Sequence, residues 1–555
     1  MDHVLSEEGS TQGDVAAMGM YAVGIRPLIN ILNKGTDSLL CQQVWYADDS
    51  SAAGQLKEMR KWWDILNMAG PKFGYFPKPS KTILIVKNSQ LFEQAEALFS
   101  DTGIKITLTG ERHLGAVIGS EDFRAEYINS KIEKWVQDIE QLSEIAEEEP
   151  QLAYTAFTKA MCMRWCFLQR TIPNIRDFFI PVEEAIRDKL IPALLGRRVN
   201  ETERKIFALP VRYGGLGILN PVETAEREFQ NSCTITQNLT AIIENQETDF
   251  RHYDVVKMKE NIKKIKSEKE EMLVHEVGIL KNLLAEEARK YLEYAAEKGA
   301  GAWLTCLPLQ STGFVFNKQQ FRDGISIRYG WLVPNTPIFC GCGVKNSLNH
   351  TLSCKLGGYV TMRHNYIRDF EASLLKEICK DVKVEPELLP LGNSGTLSSN
   401  TADKARLDVS AIGIWSSMER TFLDVRVMHP LSSSYKGKSI EKIYAQHENE
   451  KKRTYNDRIL NVEKGSFSPL IFSTTGGMGP ECTRYHRRVA ELIAAKRGEE
   501  YSDTMNFIRT KLRIALLNCT LVAIHGERGR GKRAPNAPIA DLSLNIIPEF
   551  SSYEV

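Results

Sequence analysis

Long apolar runs are missing from this chain. None is long enough to span a bilayer, which argues against a membrane-spanning helix. An excess of either charge is missing too: 71 Lys and Arg stand against 70 Asp and Glu, for a formal charge of +1. Any nucleic-acid affinity must therefore come from local patches rather than a global field. A paired cysteine framework is also absent. The 11 cysteines are odd in number and scattered over 555 residues, which argues against a disulfide-stapled secreted scaffold. The first residues are polar and acidic, with neither a basic start nor an apolar core, so no secretory signal is legible. A reducing compartment, nucleus or cytoplasm, is expected. What is present is ordinary for globular chains, 43% hydrophobic and 25% charged residues, and the length suits several domains with their own cores.

Against that plain background, Tyr46-Ala47-Asp48-Asp49 follows apolar Val44-Trp45 and precedes a polar turn. Two adjacent carboxylates at the tip of a strand–turn–strand can hold a divalent metal against a nucleotide, although an Asp-Asp pair alone is more often solvated turn chemistry. Ser6-Glu7-Glu8-Gly9-Ser10-Thr11-Gln12-Gly13-Asp14 lies ahead of it. Gly70-Pro71-Lys72, Pro79-Ser80-Lys81-Thr82 and His113-Leu114-Gly115 lie behind. This order resembles the later motifs of the reverse transcriptase palm of non-LTR retrotransposons. The resemblance implies that Gln12, Gly13 and Asp14 border template and nucleotide, and that Asp48 ligates Mg²⁺ while Asp49 shapes the turn. It also implies that Lys81 protonates the leaving pyrophosphate, with a plain surface lysine as the alternative, and that a Leu-Gly strand at 113–115 grips the primer. The family's palm begins with an earlier strand bearing another metal-binding aspartate, which this sequence does not show. The expectation is a C-terminal part of such a polymerase, with Val15 where the family usually has proline, and no primer extension by this chain alone.

Helical spacing runs through Met18–Leu32 and Lys57–Met68, and Thr82–Val86 suits a strand. From 121 to about 250 the pattern is helical, with Tyr154, Phe157, Met161, Trp165 and Leu168 on one face, where the resemblance puts a thumb. Leu209-Pro210-Val211-Arg212-Tyr213-Gly214-Gly215-Leu216-Gly217 then suits tight turns. Lys257, Lys259, Lys263, Lys264, Lys266 and Lys269 precede a stripe of Leu280, Leu284, Ala288, Tyr291 and Ala295. A solvated helix packed on one side explains them, and a phosphate-contacting arm is the alternative.

Cys340-Gly341-Cys342 is followed after seven residues by His350 and after three more by Cys354. Three thiols and an imidazole in so short a span suit tetrahedral Zn²⁺ better than core filling. Cys306 and His364 lie near, but no spacing recommends them as ligands. Further on, Arg406-Leu407-Asp408-Val409 leads into Ala411-Ile412-Gly413-Ile414, and Thr421-Phe422-Leu423-Asp424-Val425-Arg426-Val427 follows. Two strands joined by a short turn place Asp408 and Asp424 at one sheet edge. That arrangement resembles the restriction-endonuclease-like core, in which the acids bind Mg²⁺ and a lysine activates water. Arg426 stands where that lysine is expected, and arginine is a poor base but a good phosphate clamp. The retroelement branch implies a lysine on the next helix, ahead of a tyrosine. In Glu448-Asn449-Glu450-Lys451-Lys452-Arg453-Thr454-Tyr455 the expected lysine is Lys452, three residues before Tyr455, with Lys451 as substitute. A buried strand at Phe467–Ser473 and the turn Gly476-Gly477-Met478-Gly479 come after.

The expected fold is thus α/β and multidomain: a partial palm over 1–120, a thumb-like helical region over 121–250 and a charged helical linker over 251–305. A CCHC zinc knuckle over 306–365, a restriction-like endonuclease domain over 366–530 and a flexible tail over 531–555 complete it. The resemblance, to non-LTR retroelements of the restriction-like-endonuclease group, implies target-primed reverse transcription. In that process the nuclease nicks chromosomal DNA and the freed 3′-hydroxyl primes copying of the element's RNA. Two alternatives stay open: a metal-dependent DNA endonuclease without polymerase activity, and a non-enzymatic nucleic-acid-binding relic.

Overall fold

The computed structural model describes residues 14–247, 252–391, 402, 404–526 and 528. Gln12, Gly13 and the tail over 531–555 lie outside the described residues. The chain is an α/β multidomain protein made of two compact units, each assembled from separate stretches of sequence. One comprises Met1–Gln137, Arg164–Glu183 and Pro221–Met272; the other comprises Asp138–Met163, Glu184–Asn220 and Leu273–Val555. The stretches 121–250 and 251–305, expected as separate regions, are therefore each shared between the two units.

In the first unit α1 (Ala17–Gly35) and α2 (Leu56–Ala69) flank an antiparallel hairpin, β1 (Cys41–Tyr46) and β2 (Asp49–Gly54). Leu28 and Leu32 of α1 and Trp62, Trp63 and Leu66 of α2 pack with Cys41 into one core. That core also takes Ala95 and Phe99 of α3 (Ser89–Phe99) and Leu84 of β3 (Ile83–Ile85), which pairs in parallel with β4 (Lys105–Thr107). The hairpin β5 (Gly110–His113) and β6 (Ala116–Gly119) follows. The strands of this unit form three separate two-stranded pairs among the described residues. The expected Leu-Gly strand is a turn: Leu114 and Gly115 both take positive φ, 47° and 81°, at the tip of β5–β6. The helices α4 (Glu121–Glu148), α5 (Pro221–Glu244) and α6 (His252–Leu283) follow in the chain. On α6 Lys257, Lys259, Lys263, Lys264 and Lys266 are exposed, and Lys269 pairs with Glu228 of α5 at 2.6 Å, as a solvated face predicts.

The expected apolar face over 154–168 is not one helix. The chain breaks after Lys159 and again around Met163, so Tyr154 and Phe157 end in one unit and Trp165 and Leu168 in the other. Trp165 instead packs edge-on against Trp135, with ring centroids 5.9 Å apart. Within 209–217 the tight turns are present. A Cβ at Gly215 would lie 2.0 Å from the Leu209 carbonyl oxygen, so only glycine fits there. The stripe 280–295 is likewise divided, because α6 ends at Leu283 and α7 (Glu286–Ala295) starts afresh.

The second unit carries a mixed four-stranded sheet. After α8 (Leu348–Ser353) and α9 (Tyr359–Ile378), β7 (Lys380–Val384), β8 (Val409–Ile412) and β9 (Arg420–Met428) run as an antiparallel meander. The helix α10 (Ile440–Arg458) then crosses over so that β10 (Ser466–Ser473) lies parallel to β9. A parallel pair needs such a crossover. The helices α11 (Pro480–Arg497) and α12 (Tyr501–His525) close the fold. The central strand β9 is almost wholly buried, and its alternation assigns its faces. Leu423, Val425 and Leu470 meet Phe370 of α9, Val489 of α11 and Leu512 of α12. On the other face Phe422 meets Ile459, and Met428 meets Ile443 and Tyr444 of α10. Asp424 and Arg426 sit between Phe422 and Met428 in that alternation, so they face α10. Beyond β10, the Ser473 amide donates to Gly477 O and the Gly479 amide to Ile471 O, closing the expected glycine turn. Beside this turn the Glu297 carboxylate accepts from the Tyr444 hydroxyl at 2.9 Å and the Thr475 hydroxyl at 3.3 Å.

Candidate active site and metal centre

Pairing of β8 with β9 brings Asp408 and Asp424 together. Asp408 directly precedes β8, and its amide donates to Leu423 O at 3.1 Å. Its Oδ2 accepts from the Val425 amide at 2.6 Å and from His364 Nε2 at 3.3 Å. Burial, and then the like charge of Asp408, push Asp424 up to about 6 against the opposing pull of Lys451. Asp408 stays below the ordinary carboxylate range: burial works against this, and the hydrogen bonds from His364 and Val425 overcome it. The two environments thus push neighbouring acids apart, so that one is ionised while the other holds its proton into mildly acidic solution.

The helix α10 supplies the cation. Lys451 Nζ donates to Asp424 Oδ1 at 3.0 Å. It also lies 2.7 Å from Oδ2, at an angle that makes no hydrogen bond, and that buried oxygen has no hydrogen-bond donor. Lys452, the lysine expected here, turns instead to Glu481 at 2.6 Å and is 40% exposed. The reason is helical phase. Tyr444, Glu448, Lys451 and Tyr455 recur at spacings of four, three and four and share the sheet-facing side, while Lys452 lies about 100° further round. Tyr455 packs against Phe467, with Lys451 Nζ 5.9 Å from its ring centre. Arg426 donates through Nη1 to His447 Nδ1 and to Glu450, both at 2.9 Å. Burial, then Arg426, hold His447 below its usual range, so its neutral ring donates through Nε2 to the Tyr435 oxygen at 2.8 Å.

His364, which no spacing recommends as a metal ligand, is the unforeseen member of this site. It sits on α9, 44 residues ahead of Asp408, and only the packing of α9 on the sheet brings it there. Its hydrogen bond to Asp408 raises its pKa against the effect of burial.

The sulfur and nitrogen donors of Cys340, Cys342, His350 and Cys354 all lie within 4.8 Å of one another. The Sγ atoms of Cys340 and Cys354 are 3.8 Å apart, and Cys342 Sγ is 3.2 Å from His350 Nε2. Tetrahedral zinc with Zn–S of about 2.3 Å requires edges of about 3.8 Å between sulfurs, so the group can hold a metal such as zinc. The short spacing works because the Cys340 amide donates to Val344 O and the Gly343 amide to Cys340 O, with Gly343 at φ 87°. Ser347 caps α8 and so presents His350 one turn in. Next to that ligand, Asn349 Oδ1 accepts from the Tyr291 hydroxyl and from His429 Nε2, each at 2.9 Å. His429 follows β9 directly and its Nδ1 accepts from the Thr474 hydroxyl at 2.8 Å. Among the described residues, this cysteine–histidine group alone gathers three or more metal-ligating side chains.

In the first unit Asp48 lies in the two-residue tip of β1–β2, after Ala47 at φ 53°, and Asp49 opens β2 opposite Tyr46. Both carboxylates are exposed. The Tyr75 hydroxyl donates to Asp48 O at 3.0 Å and meets Ser50 Oγ at 2.8 Å, which fixes the tip. Asp14 accepts from the Ala16 amide at 2.8 Å ahead of α1. Lys81 is exposed at the end of the short turn Pro79–Lys81. No helix among the described residues is long and apolar enough to cross a membrane. No protein-family model matches the chain, and no curated protein matches it.

Proposed function

We propose that the second unit is a Mg²⁺-dependent DNA endonuclease within a protein of the non-LTR retroelement kind. The observation that carries this reading is the convergence of Asp408, Asp424 and Lys451 from two paired strands and a crossover helix. The opposed pKa shifts of the two neighbouring acids, one held down and one pushed up by burial, suit a cation-binding pair. Asp408 and Asp424 would hold the Mg²⁺, which when bound supplies charge stabilisation to the scissile phosphate. Lys451 orients the attacking water, and its positive charge offsets the negative charge that grows on the scissile phosphate. The water oxygen forms a bond to phosphorus and gives a proton to solvent as the bond to the 3′-oxygen breaks, and the departing 3′-oxygen takes a proton from solvent, leaving a 5′-phosphate and a 3′-hydroxyl. Arg426, held by His447 and Glu450, clamps backbone phosphate and takes no proton. Conversion of supercoiled plasmid to nicked circle in Mg²⁺, lost in Asp424→Ala, tests this reading. An undiminished rate in that variant refutes it.

The hairpin favours a second reading, in which the chain also takes part in RNA-directed DNA synthesis. The tip of β1–β2 holds Asp48 and Asp49 outward, as Mg²⁺ ligands beside a nucleotide require. The 3′-hydroxyl released by the nuclease would then prime copying of the element's RNA at the chromosomal target, in the nucleus. Primer extension sensitive to Asp48→Ala supports it. A chain that neither nicks nor extends but still retards plasmid DNA in a gel would be the nucleic-acid-binding relic.

A further inference from the structure

Oxygen Oδ2 of Asp408 is where two donors meet: the Val425 amide at 2.6 Å and His364 Nε2 at 3.3 Å. A carboxylate oxygen that accepts two hydrogen bonds has little left for a cation, so Oδ1 is the oxygen Asp408 can offer. The Val425 donor is main chain and is set by β9. The other donor is a side chain on α9, a helix anchored in the core through Ile367, Phe370 and Leu374. The ring is also steered from behind, where Nδ1 lies 3.3 Å from Asn365 Oδ1, so both ring nitrogens face acceptors. One turn along α9, Arg368 pairs with Asp369 and Glu385, which fixes that face of the helix.

We propose that His364 is a positioning residue. It locks Asp408 so that the remaining oxygen, together with Asp424, forms the cation-binding edge of the nuclease. This rests on the endonuclease reading above. A residue of this kind sets how much metal the site needs rather than how fast the loaded site reacts. Removing the hydrogen-bond partner of a ligating group typically costs about 10–100-fold in metal affinity.

The test uses the full chain with its zinc retained. Plasmid nicking is titrated with Mg²⁺ for wild type, His364→Ala and His364→Gln, and Mn²⁺ binding is followed by electron paramagnetic resonance. For His364→Ala the half-saturating Mg²⁺ should rise about 10–100-fold while the rate at saturation stays within about threefold. The Mn²⁺ dissociation constant should rise in parallel, and plasmid affinity without metal should not change. His364→Gln, whose amide nitrogen reaches the same oxygen, should recover most of the loss. If His364→Ala fails to fold, His364→Phe keeps ring volume without a donor and replaces it in the same comparison. An unchanged Mg²⁺ requirement in the donor-less variant overturns the inference. So does a lower saturated rate at unchanged half-saturation, which is the mark of proton transfer. A wild-type chain that neither nicks nor binds Mn²⁺ in an Asp424-dependent way overturns the endonuclease reading itself, and this inference with it.

Discussion

Lys451 Nζ lies 2.7 Å from Asp424 Oδ2. The pair is largely out of solvent, the side chains being 21% and 8% exposed, so removing the lysine would leave a carboxylate that burial already disfavours. Lys451→Ala should therefore lower nicking by at least about 100-fold, whereas Lys452→Ala, which only frees Glu481, should stay within about threefold. Single-turnover nicking rates of the two variants decide it. The reverse ranking refutes the placement of Lys451.

Asp424→Ala and Asp408→Ala should each abolish Mg²⁺-dependent nicking and leave plasmid affinity nearly unchanged, since affinity comes from cations meeting phosphates. Gel-shift titration beside the nicking assay separates the two effects. Loss of binding equal to loss of nicking would point to a folding defect.

The purified chain should carry one zinc. Cys342→Ser or His350→Ala should bring the stoichiometry toward zero and lower the melting temperature, because the site is assembled only in the folded chain and its binding free energy is folding free energy. Elemental analysis with a thermal melt checks both. A full complement of zinc in Cys342→Ser would disprove the ligand set.

Burial pushes the Glu297 carboxyl up to about 7, although its bonds from Tyr444 and Thr475 pull it down. A folded-state pKa above the unfolded one stabilises the protein below the unfolded value, near 4.5, and that stabilisation is lost as pH rises through about 7. Glu297→Gln stays neutral throughout. Melting temperatures measured from about pH 5 to about pH 8 should fall more for wild type than for the variant. Parallel curves would show that Glu297 does not titrate there.

Much of the second unit was legible in the sequence. Asp408 and Asp424 stand on short apolar stretches joined by a turn, and the cysteine–histidine group that could hold a metal falls within 15 residues, so local pattern sufficed to bring each set together. The helical phase of Tyr444, Glu448, Lys451 and Tyr455 carries the choice of Lys451 over Lys452, whereas the spacing to Tyr455 alone points to Lys452. His364 was not legible: the α9 packing that delivers it is long-range, and a lone histidine has no local signature. Nor was the division of the helical regions between two units, because helical periodicity says which face is apolar and not which core receives it. Leu114-Gly115 suited a strand by composition, yet a turn only two residues long between β5 and β6 needs the positive φ that both take.

The hydrogen bond from His429 Nε2 to Asn349 Oδ1 puts the cysteine–histidine group, through the neighbour of His350, within one hydrogen bond of the residue that leaves β9. Sensitivity to a general chelator would then have two origins with different clocks. Withdrawal of a freely exchanging Mg²⁺ is immediate and reversed by adding it back. Extraction of a zinc held by the cysteine–histidine group would be slow, and would loosen the end of the strand that carries Asp424. A nicking time course after EDTA should accordingly be biphasic, and excess Mg²⁺ should rescue the early phase alone. A zinc-selective chelator should reproduce only the late one.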